Sequence, residues 1–294
     1  MIITKLMGGL GNQLFQYAIG KQLAHHQKTD LKLDLSFFSN LKNATPRTYK
    51  LGYFNISAEF ATNNDITHVL GEPLFRPIKR RLWKMGLDLF HWNYVTENGN
   101  KFQSEIPAIN YPVFLHGYWQ NENYFSSIRP ILLKELQLKN EFLTTKLRSQ
   151  CIDVENVESV AIHVRRGDYL SHTESSEMFH TCSVNYYVEA IKLIKSKLKS
   201  PQFFIFSDDL DWCKNNLSLG LVGNSVRYIN GNTDYEDLKI MSSCKHQIIA
   251  NSSFSWWSAW LNVNENKTVI APEKWYKNEE QNQLHTLPND WIKL

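Results

Sequence analysis

The sequence predicts an α/β protein built on parallel sheets, because one pattern recurs along its 294 residues. Short apolar runs of strand length alternate with stretches in which apolar residues recur at helical spacing. Strands that are apolar on both faces are typical of a parallel, doubly wound sheet covered by helices. Composition agrees, with 43% apolar and 21% charged residues, and the net charge of +3 is too small to indicate a nucleic-acid partner.

The chain opens as strand, glycine loop, helix and strand. Residues 2–6 are apolar, three glycines follow within four residues, and apolar positions then recur at helical spacing as far as Gln27. A second strand is predicted over residues 31–35. Further on, residues 113–125 predict a strand that runs into an aromatic loop, and residues 128–149 predict an amphipathic helix.

The second half is more regular and predicts its elements one by one. A polar stretch at residues 149–158 indicates a boundary, so the expected domains are residues 1–150 and 151–272. Residues 273–294 form a C-terminal segment that we expect to pack back on the N-terminal domain. The predicted elements are, in order, strand 160–164, helix 184–198, strand 203–206, helix 210–217, strand 226–229, helix 234–244, strand 247–250, helix 254–261 and strand 268–271.

Polar motifs follow three of these strands, and ligands of doubly wound sheets lie at the carboxyl ends of strands. The first motif is HVRRGDY, residues 163–169. Arginine presents a planar fork of donors suited to phosphate oxygens. Neighbouring strand residues point to opposite faces, so we expect one of Arg165 and Arg166 to reach a ligand and the other to pair with a carboxylate. The alternative is a surface ion pair with Asp168.

The second motif is FSDD, residues 206–209. Its carboxylates, Asp208 and Asp209, are able to accept hydrogen bonds from a ribose or a guanine. Asp209 and Asp211 also form a DxD sequence, a pattern that holds a divalent metal in many enzymes that use nucleotide-sugars. The alternative for Asp209 is a cap on the following helix, since aspartate is a favoured N-cap.

The third motif is ANSSFSWWSAWL, residues 250–261. Hydroxyl and free N–H groups at a helix start favour anions, so Ser252 and Ser253 are candidates for binding a diphosphate, with ordinary capping as the alternative. Its tryptophans are predicted core residues: Trp256, Trp257 and Trp260. No P-loop lysine motif is present, and the opening glycines lack the third glycine of a dinucleotide fingerprint, which argues against ATPases and dehydrogenases.

Two other features bear on partners and location. The four cysteines form no CxxC pair, so no zinc site is expected, and they fit a reduced, cytoplasmic compartment. Residues 76–90 carry five cations among apolar residues. This segment predicts either a solvated helix face, which we favour, or a patch for a membrane surface or an anionic ligand.

Four stretches together resemble glycosyltransferase family 11, the α-1,2-fucosyltransferases: GGLGNQLFQYA, HVRRGD, FSDD and NSSFSWWSAWL. The resemblance implies a GT-B-like fold, with two Rossmann-like domains facing a cleft and GDP-fucose bound mainly by the C-terminal one. It also implies inverting transfer, without a metal or other cofactor, to the 2-hydroxyl of a β-galactoside. Peripheral association with the inner face of a membrane stays open. The rival interpretations are another GDP- or UDP-sugar transferase and a non-catalytic glycan-binding protein.

The resemblance also implies site residues. Arg165 would bind the β-phosphate, His163 would face the nucleoside, and Asp208 or Asp209 would read guanine. The other expected donor contacts are Gly9, Gly11, Asn12, Ser252, Ser253 and Phe254. Arg165, Asn12 and Asp168 are the expected catalytic residues. The base is left open among Asp168, His172, Glu174 and Glu177, and so is a reaction without a base. On the acceptor side, Tyr118, Trp119 and Gln120 are candidates for stacking on and hydrogen-bonding a galactoside, with core packing as the alternative for Trp119.

Overall fold

The computed structural model describes residues 1–39, 47–85, 93–97, 101–167, 180–217, 225–284 and 287–294. The chain divides into two compact units, Met1–Gln137 and Leu138–Leu294. Each unit contains one parallel sheet, of five and six strands respectively within the described residues. This confirms the expected α/β class with two Rossmann-like domains.

The first unit begins with the predicted strand, glycine loop, helix and strand. Its strands are β1 (Ile2–Lys5), β2 (Leu31–Asp34), β3 (Glu59–Phe60), β4 (Tyr94–Thr96) and β5 (Val113–His116). Its helices are α1 (Leu10–Gln27), α2 (Ser36–Ser39), α3 (Asn63–Leu70), α4 (Arg76–Lys84) and α5 (Arg129–Glu135), with short 3₁₀ turns at Leu51–Tyr53, Pro73–Phe75, Ile106–Ala108, Glu122–Tyr124 and Ser126–Ile128. The strand order is β3-β2-β1-β5-β4.

Helix α1 lies close against β1 because residue 20 is glycine. A Cβ at Gly20 would collide with Thr4 Oγ1 on β1 and would come within 2.8 Å of Leu31 Cδ1 on β2. Ile19 and Leu23 are fully buried on the same helix. Close helix-to-sheet packing of this kind places the N-terminus of α1 at the carboxyl end of β1, where the glycine loop lies.

The second unit contains every strand and helix predicted for it. Its strands are β6 (Ser159–Val164), β7 (Gln202–Ser207), β8 (Val226–Ile229), β9 (His246–Ile248), β10 (Val269–Ala271) and β11 (Ile292–Lys293). Its helices are α6 (Thr145–Glu155), α7 (Val184–Lys197), α8 (Leu210–Asn216), α9 (Asp234–Ser243), α10 (Ser253–Leu261) and α11 (Glu279–Leu284), with a 3₁₀ turn at Asn140–Phe142. The strand order is β11-β10-β9-β6-β7-β8.

The single helix predicted over residues 128–149 was wrong. Helix α5 ends at Glu135, and α6 begins anew after Thr144, whose side chain caps it by accepting from the N–H of Leu147. The compact units meet between Gln137 and Leu138, so the expected boundary at residue 150 falls inside α6. In the C-terminal segment, β11 pairs with β10 and completes the second sheet. The expected roles of the domains, and the return of this segment to the first, stay predictions.

Both sheets are wound in two directions from a central strand. From β1 the chain adds β2 and β3 on one side and later places β5 and β4 on the other. From β6 it adds β7 and β8 on one side and β9, β10 and β11 on the other. The switch points therefore lie between β1 and β5 and between β6 and β9, and such points are where open parallel sheets bind ligands.

No helix among the described residues is long and apolar enough to cross a bilayer.

Candidate active site

The three predicted motifs of the second unit follow three adjacent strands. Strand β6 lies between β9 and β7, with Ile162 opposite Ile248 and Val164 opposite Ser207. Since all three strands run in the same direction, their motifs meet at one edge of the sheet. This edge includes the switch point, so the structure brings together the arginines, the aspartates and the serines that the sequence singled out.

Asp208 holds the loop that follows β6. Its Oδ1 accepts from the backbone N–H of Arg166 at 2.9 Å, and its Oδ2 accepts from the N–H of Gly167 at 3.1 Å. The same Oδ2 lies 3.0 Å from Arg165 Nη1. A Cβ at Gly167 would lie 2.9 Å from that oxygen, so the close approach requires glycine. Asp208 therefore directs most of its acceptor capacity to residues 165–167.

Asp209 holds the second arginine. Its Oδ2 lies 3.3 Å from Arg166 Nε, and its Oδ1 accepts from the N–H of Trp212 at 3.0 Å, which caps α8. The Arg166 guanidinium also lies over the Trp212 ring, 3.9 Å from its centroid. The capping alternative for Asp209 is thus confirmed. One arginine was expected to pair with a carboxylate, and in the structure both do, because consecutive aspartates on the adjacent strand end supply one partner to each. That one of them reaches a ligand stays a prediction.

Asp211, the second acid of the DxD sequence, is 89% exposed and pairs with Lys214 on its own helix. Within the part of the chain that the structure describes, no group of three or more His, Cys, Asp or Glu side chains is arranged to hold a metal ion. The four cysteines are buried free thiols.

His163 brings an uncharged ring into this charged surrounding. Burial, assisted by the nearby Arg165 charge, lowers the pKa of His163 to about 3, so the imidazole is neutral at ordinary pH. Its ring lies 5.6 Å from that of Phe254. Its Nδ1 is buried and has no hydrogen-bond partner among the described residues. Buried polar atoms of a folded protein are usually paired, so this nitrogen is a candidate ligand contact.

Asn251 holds the third motif in place through hydrogen bonds, and the sequence analysis did not identify this residue. Asn251 Nδ2 donates to the carbonyl oxygens of His180 and Trp275, the latter at 3.0 Å. Ser252 Oγ accepts from the N–H of Phe254 at 3.3 Å, which confirms the capping alternative. Ser253 and Phe254 are half-buried. The tryptophans of α10 are core residues, as predicted: Trp256, Trp257 and Trp260.

At the switch point of the first sheet, Gly8 and Asn12 shape the glycine loop. Gly8 has φ +73°, in the left-handed region, and a Cβ there would lie 2.6 Å from Asn12 Nδ2. Gly9 precedes α1 without a side-chain cap, and among the described residues a Cβ at Gly9 would approach only Arg47 Nη1, at 3.7 Å. Gly11 is buried in α1. Glycine is therefore required by the backbone at Gly8, which was not among the predicted donor contacts.

Two glutamines of α1, also missed, brace the loops around the glycines. Gln13 Nε2 donates to the carbonyl oxygens of Gly8 and Thr48, at 3.0 and 2.8 Å. Gln16 Oε1 accepts from the N–H of Met7 at 2.9 Å, and its Nε2 donates to Gly117 O at 3.1 Å. Both side chains are fully buried. Their spacing of three residues puts them on one face of the helix, which is the signal that would have found them.

The loop after β5 is held by a half-buried carboxylate. Glu97 follows β4 and accepts from the N–H groups of Tyr118 and Trp119, at 2.8 and 2.9 Å. Burial raises the pKa of this carboxyl group. Trp119 is fully buried, which confirms the core alternative, whereas Tyr118 is 45% exposed. Gln120 turns inward and donates to Asn12 Oδ1 at 2.8 Å.

The remaining predicted residues lie outside the described part of the chain: Asp168, His172, Glu174 and Glu177.

A family model for glycosyl transferase family 11 matches residues 1–294. The chain belongs to glycosyl transferase family 11. This family 11 chain is 33% identical over 297 residues to an α-1,2-colitosyltransferase of Escherichia coli, covering 100% of this chain and 99% of the relative. It is 25% identical over 154 residues to the mouse (Mus musculus) galactoside 2-α-L-fucosyltransferase Sec1, covering 49% of this chain and 41% of the relative.

Among solved structures, the family 11 chain is similar to a mutant of Arabidopsis thaliana FUT1 in complex with GDP. The TM-score is 0.56 at 9% identity, over 92% of this chain and 70% of the other. This likeness shows the shared fold. Membership of glycosyl transferase family 11, from the family model and the relative that matches the whole chain, shows that the chain is a glycosyltransferase and confirms the resemblance drawn from its four motifs.

Proposed function

We propose that this glycosyltransferase transfers L-fucose from GDP-fucose to the 2-hydroxyl of a β-galactoside, with inversion. The observation that carries the proposal is the placement of Arg165 beside the neutral, buried His163 at the switch point of the second sheet. The names of the relatives support the linkage, because both the α-1,2-colitosyltransferase and the galactoside fucosyltransferase carry a 2-linkage in their names. The GDP in the structure of similar fold supports the nucleotide.

In the proposed reaction, the bond between the anomeric carbon and the β-phosphate oxygen breaks, and its electron pair leaves with GDP. The acceptor 2-oxygen forms a bond to the anomeric carbon from the opposite face and loses its proton. Negative charge grows on the diphosphate while positive charge grows on the sugar. A fixed cation at the diphosphate lowers this barrier, and removing one such group typically costs about 10²–10³ in rate.

We assign this cation to Arg165. Asp208 forms an ion pair with Arg165 and accepts from the backbone N–H groups of the next two residues, so the guanidinium does not have to be ordered during the reaction. Asp208 or Asp209 reads guanine with the acceptor capacity that these contacts leave, and His163 meets the nucleoside through Nδ1. Further donor contacts are proposed from Ser252, Ser253, Phe254, Gly9, Gly11 and Asn12. In this proposal the reaction uses no metal, and Asp168 is a candidate base.

The experiment is transfer from GDP-fucose to lactose in the presence of EDTA, for the unaltered chain and for Arg165→Ala. We expect an α-1,2-linked product and a loss of about 10²–10³ in kcat for the variant. Lys192→Ala is the control, since this exposed lysine pairs with Glu189 on its own helix. Inhibition by EDTA would overturn the metal-free proposal. Glycan binding without turnover and without GDP binding would favour a non-catalytic protein.

A second donor is supported by a specific observation. The α-1,2-colitosyltransferase is similar along the whole chain, whereas the fucosyltransferase Sec1 aligns with about half of it. Competition among GDP-fucose, GDP-colitose, GDP-mannose and a UDP-sugar distinguishes the donors. Preferred turnover of GDP-colitose would keep the reaction and the residue roles but replace the sugar. Preferred turnover of a UDP-sugar would contradict the guanine assignment.

We also propose peripheral binding to an anionic membrane through the surface formed by residues 73–85, here called the basic surface. Arg80, Arg81 and Lys84 are exposed on α4. Large apolar side chains are exposed beside them, including Leu74 at 79% and Met85 at 65%. Residues 73–85 contain no acid. Exposed apolar groups beside several cations match a helix that lies in a lipid headgroup layer, whereas a merely solvated face does not explain the apolar side chains.

Co-sedimentation with vesicles tests the basic surface. We expect binding to phosphatidylcholine vesicles containing phosphatidylglycerol, weaker binding in high salt, and little binding to phosphatidylcholine alone. Arg80→Glu with Arg81→Glu abolishes the binding, and Lys192→Glu with Lys214→Glu is the charge-matched control. Equal sedimentation of both double variants would overturn the proposal.

A further inference from the structure

Asn12 is held in one orientation by a neighbour from another loop. Its Oδ1 accepts from Gln120 Nε2 at 2.8 Å, although the two residues are far apart in sequence. A side-chain amide has an acceptor end and a donor end, and the partner of one end decides where the other is presented. Because Oδ1 faces Gln120, Asn12 is left with its two Nδ2 hydrogens. Nδ2 has no acceptor among the residues that the structure describes.

The glycine loop agrees with this orientation. Nδ2 lies where a Cβ of residue 8 would be, since such an atom would be only 2.6 Å from it. Gly8 therefore provides the space for the donor end of the amide. Its left-handed φ of +73° independently favours glycine at this position. The amide thus fits between Gln120 on its oxygen end and Gly8 beside its nitrogen end.

Gln120 is itself rigidly placed. The preceding residue, Trp119, has φ +59°, which is rare for a bulky side chain and costs free energy unless its surroundings enforce it. Two contacts enforce it here: Glu97 accepts from the N–H of Trp119, and the Trp119 ring is fully buried with an edge contact to Tyr124. A strained conformation held this firmly at a switch point is typical of a preorganised functional site.

The loop that carries Gln120 is also fixed relative to the glycine loop. Gln16 joins the two directly, by accepting from Met7 N and donating to Gly117 O. A Cβ at Gly117 would lie 2.7 Å from Glu97 Cβ, so the absence of a side chain at Gly117 lets this loop pack closely against the end of β4. The distance between Gln120 and Asn12 is therefore set by the backbone, and a change at residue 120 acts on the Asn12 amide.

We propose that Gln120 is a positioning residue: by donating to Asn12 Oδ1, it makes Asn12 present Nδ2 to the substrate as a hydrogen-bond donor. This inference rests on the proposed function, in which Asn12 contacts the sugar-diphosphate. The group that Nδ2 meets is then an oxygen that carries no proton, as on a diphosphate, because a hydroxyl group is able to donate to an amide oxygen as well. An Asn12 that presented its oxygen instead would repel such an atom.

Substitutions at residue 120 separate positioning from packing. Gln120→Glu keeps the shape but is acceptor-only, so the Asn12 amide turns over, donates to the new carboxylate and presents oxygen to the substrate. Gln120→Ala leaves the amide free to rotate, so its donor end is still available part of the time. We therefore expect kcat to fall about 100-fold for Gln120→Glu and about 10-fold for Gln120→Ala. A residue with only a packing role predicts the reverse order.

A double-mutant cycle completes the test. On an Asn12→Ala background there is no amide to turn over, so Gln120→Glu changes kcat less than threefold. Asn12→Asp keeps an acceptor for Gln120 but lacks the donor, and it loses as much kcat as Gln120→Glu. Gln137→Glu adds the same charge at an exposed position of the same unit and keeps wild-type kcat. Thermal unfolding of each variant, compared with wild type, verifies that it is folded.

The outcomes of this test are distinct from those of the proposed function. A wild-type chain that transfers from none of the nucleotide sugars in the competition series overturns the proposed function, and this inference with it. An active wild type in which Gln120→Ala is as damaging as Gln120→Glu overturns the positioning role alone. So does an equal effect of Gln120→Glu in the presence and absence of Asn12.

Discussion

The two units hold the loops at their switch points by different means. In the first unit, side-chain amides make most of these contacts. Gln13 and Gln16 each donate to a neighbouring loop, and Gln120 donates to Asn12 on α1. In the second unit, the loop after β6 is held by two ion pairs, Arg165 with Asp208 and Arg166 with Asp209. Apart from the Glu97 carboxylate, which holds the loop after β5, the cluster in the first unit is thus neutral, whereas the cluster in the second unit is charged.

The difference has energetic and chemical consequences. When a buried side-chain amide loses its hydrogen bonds, its backbone partners are left unpaired, and this costs free energy of unfolding. These hydrogen bonds also respond little to salt. The arginine and aspartate side chains are partly exposed, so the net stability that their pairs contribute is small. A charged cluster that adds little stability suits binding of an anion, and a neutral cluster of fixed amides suits hydroxyl groups and phosphoryl oxygens.

The largest effect on stability is expected at Gln16. Replacing it with Leu removes two buried hydrogen bonds and leaves Met7 N and Gly117 O without partners, which costs about 2–5 kcal/mol in unfolding free energy. Gln27→Leu is the matched control on the same helix: it also removes two bonds, but from a less buried site near the helix end, so we expect less than half the loss. Urea unfolding measures both. Equal losses would break the distinction between buried and exposed amides.

His163 is the neutral exception within the charged cluster, and pH tests it. The pKa of His163 is lowered from 6.5 to about 3, so the unfolded chain binds a proton that the folded chain does not between these values. Stability contributed by the neutral imidazole is complete above pH 6.5 and is lost as pH falls toward 3. For His163→Asn we expect the unfolding free energy to fall less between pH 7 and pH 4 than it does for the unaltered chain, by on the order of 3 kcal/mol. Parallel curves of unfolding free energy for the two chains would contradict the burial of a neutral ring.

Asp208 tests whether the charged cluster serves activity more than stability. Asp208→Asn weakens the pair with Arg165 and loosens the loop at residues 165–167, so we expect kcat to fall about 10- to 100-fold, with a loss of about 1 kcal/mol or less from the ion pair itself. Asp211→Asn is the control, because Asp211 is exposed and pairs only within its helix. A large loss of activity in the control would instead revive the DxD interpretation.

The sequence predicted the charged unit better than the neutral one. Strands of the second sheet are continuous apolar runs, and the residues after them carry charges or hydroxyls, so both the elements and the clustering of their ends follow from local pattern. The pairing of both arginines with aspartates does not follow from local pattern, because it depends on which strand lies next to β6. Sheet order is a long-range property that one strand's sequence does not contain.

In the first unit the decisive residues look unremarkable in sequence. Gln13 and Gln16 resemble ordinary polar helix positions, and their burial depends on loops at residues 47–50 and 117 that come from distant parts of the chain. Glu97 lies in a stretch without a clear period, and its partners are backbone N–H groups rather than side chains. The sequence leaves open whether Trp119 packs in the core or contacts a ligand. Its contact with Tyr124 in the structure shows that it packs in the core.

Ser252 gives the smallest expected effect and the sharpest test of whether a cap in the charged unit also serves the substrate. Its hydroxyl caps α10, so Ser252→Ala costs about 1 kcal/mol in unfolding free energy. Thr144 caps α6 in the same unit in the same way, and Thr144→Ala is expected to cost a similar amount. If Ser252 also binds the diphosphate, only Ser252→Ala raises the KM for the nucleotide sugar, by roughly tenfold for one lost hydrogen bond to a charged group. If the two variants match in both stability and KM, Ser252 is a cap alone, and the anion site at this edge then depends on the arginine loop.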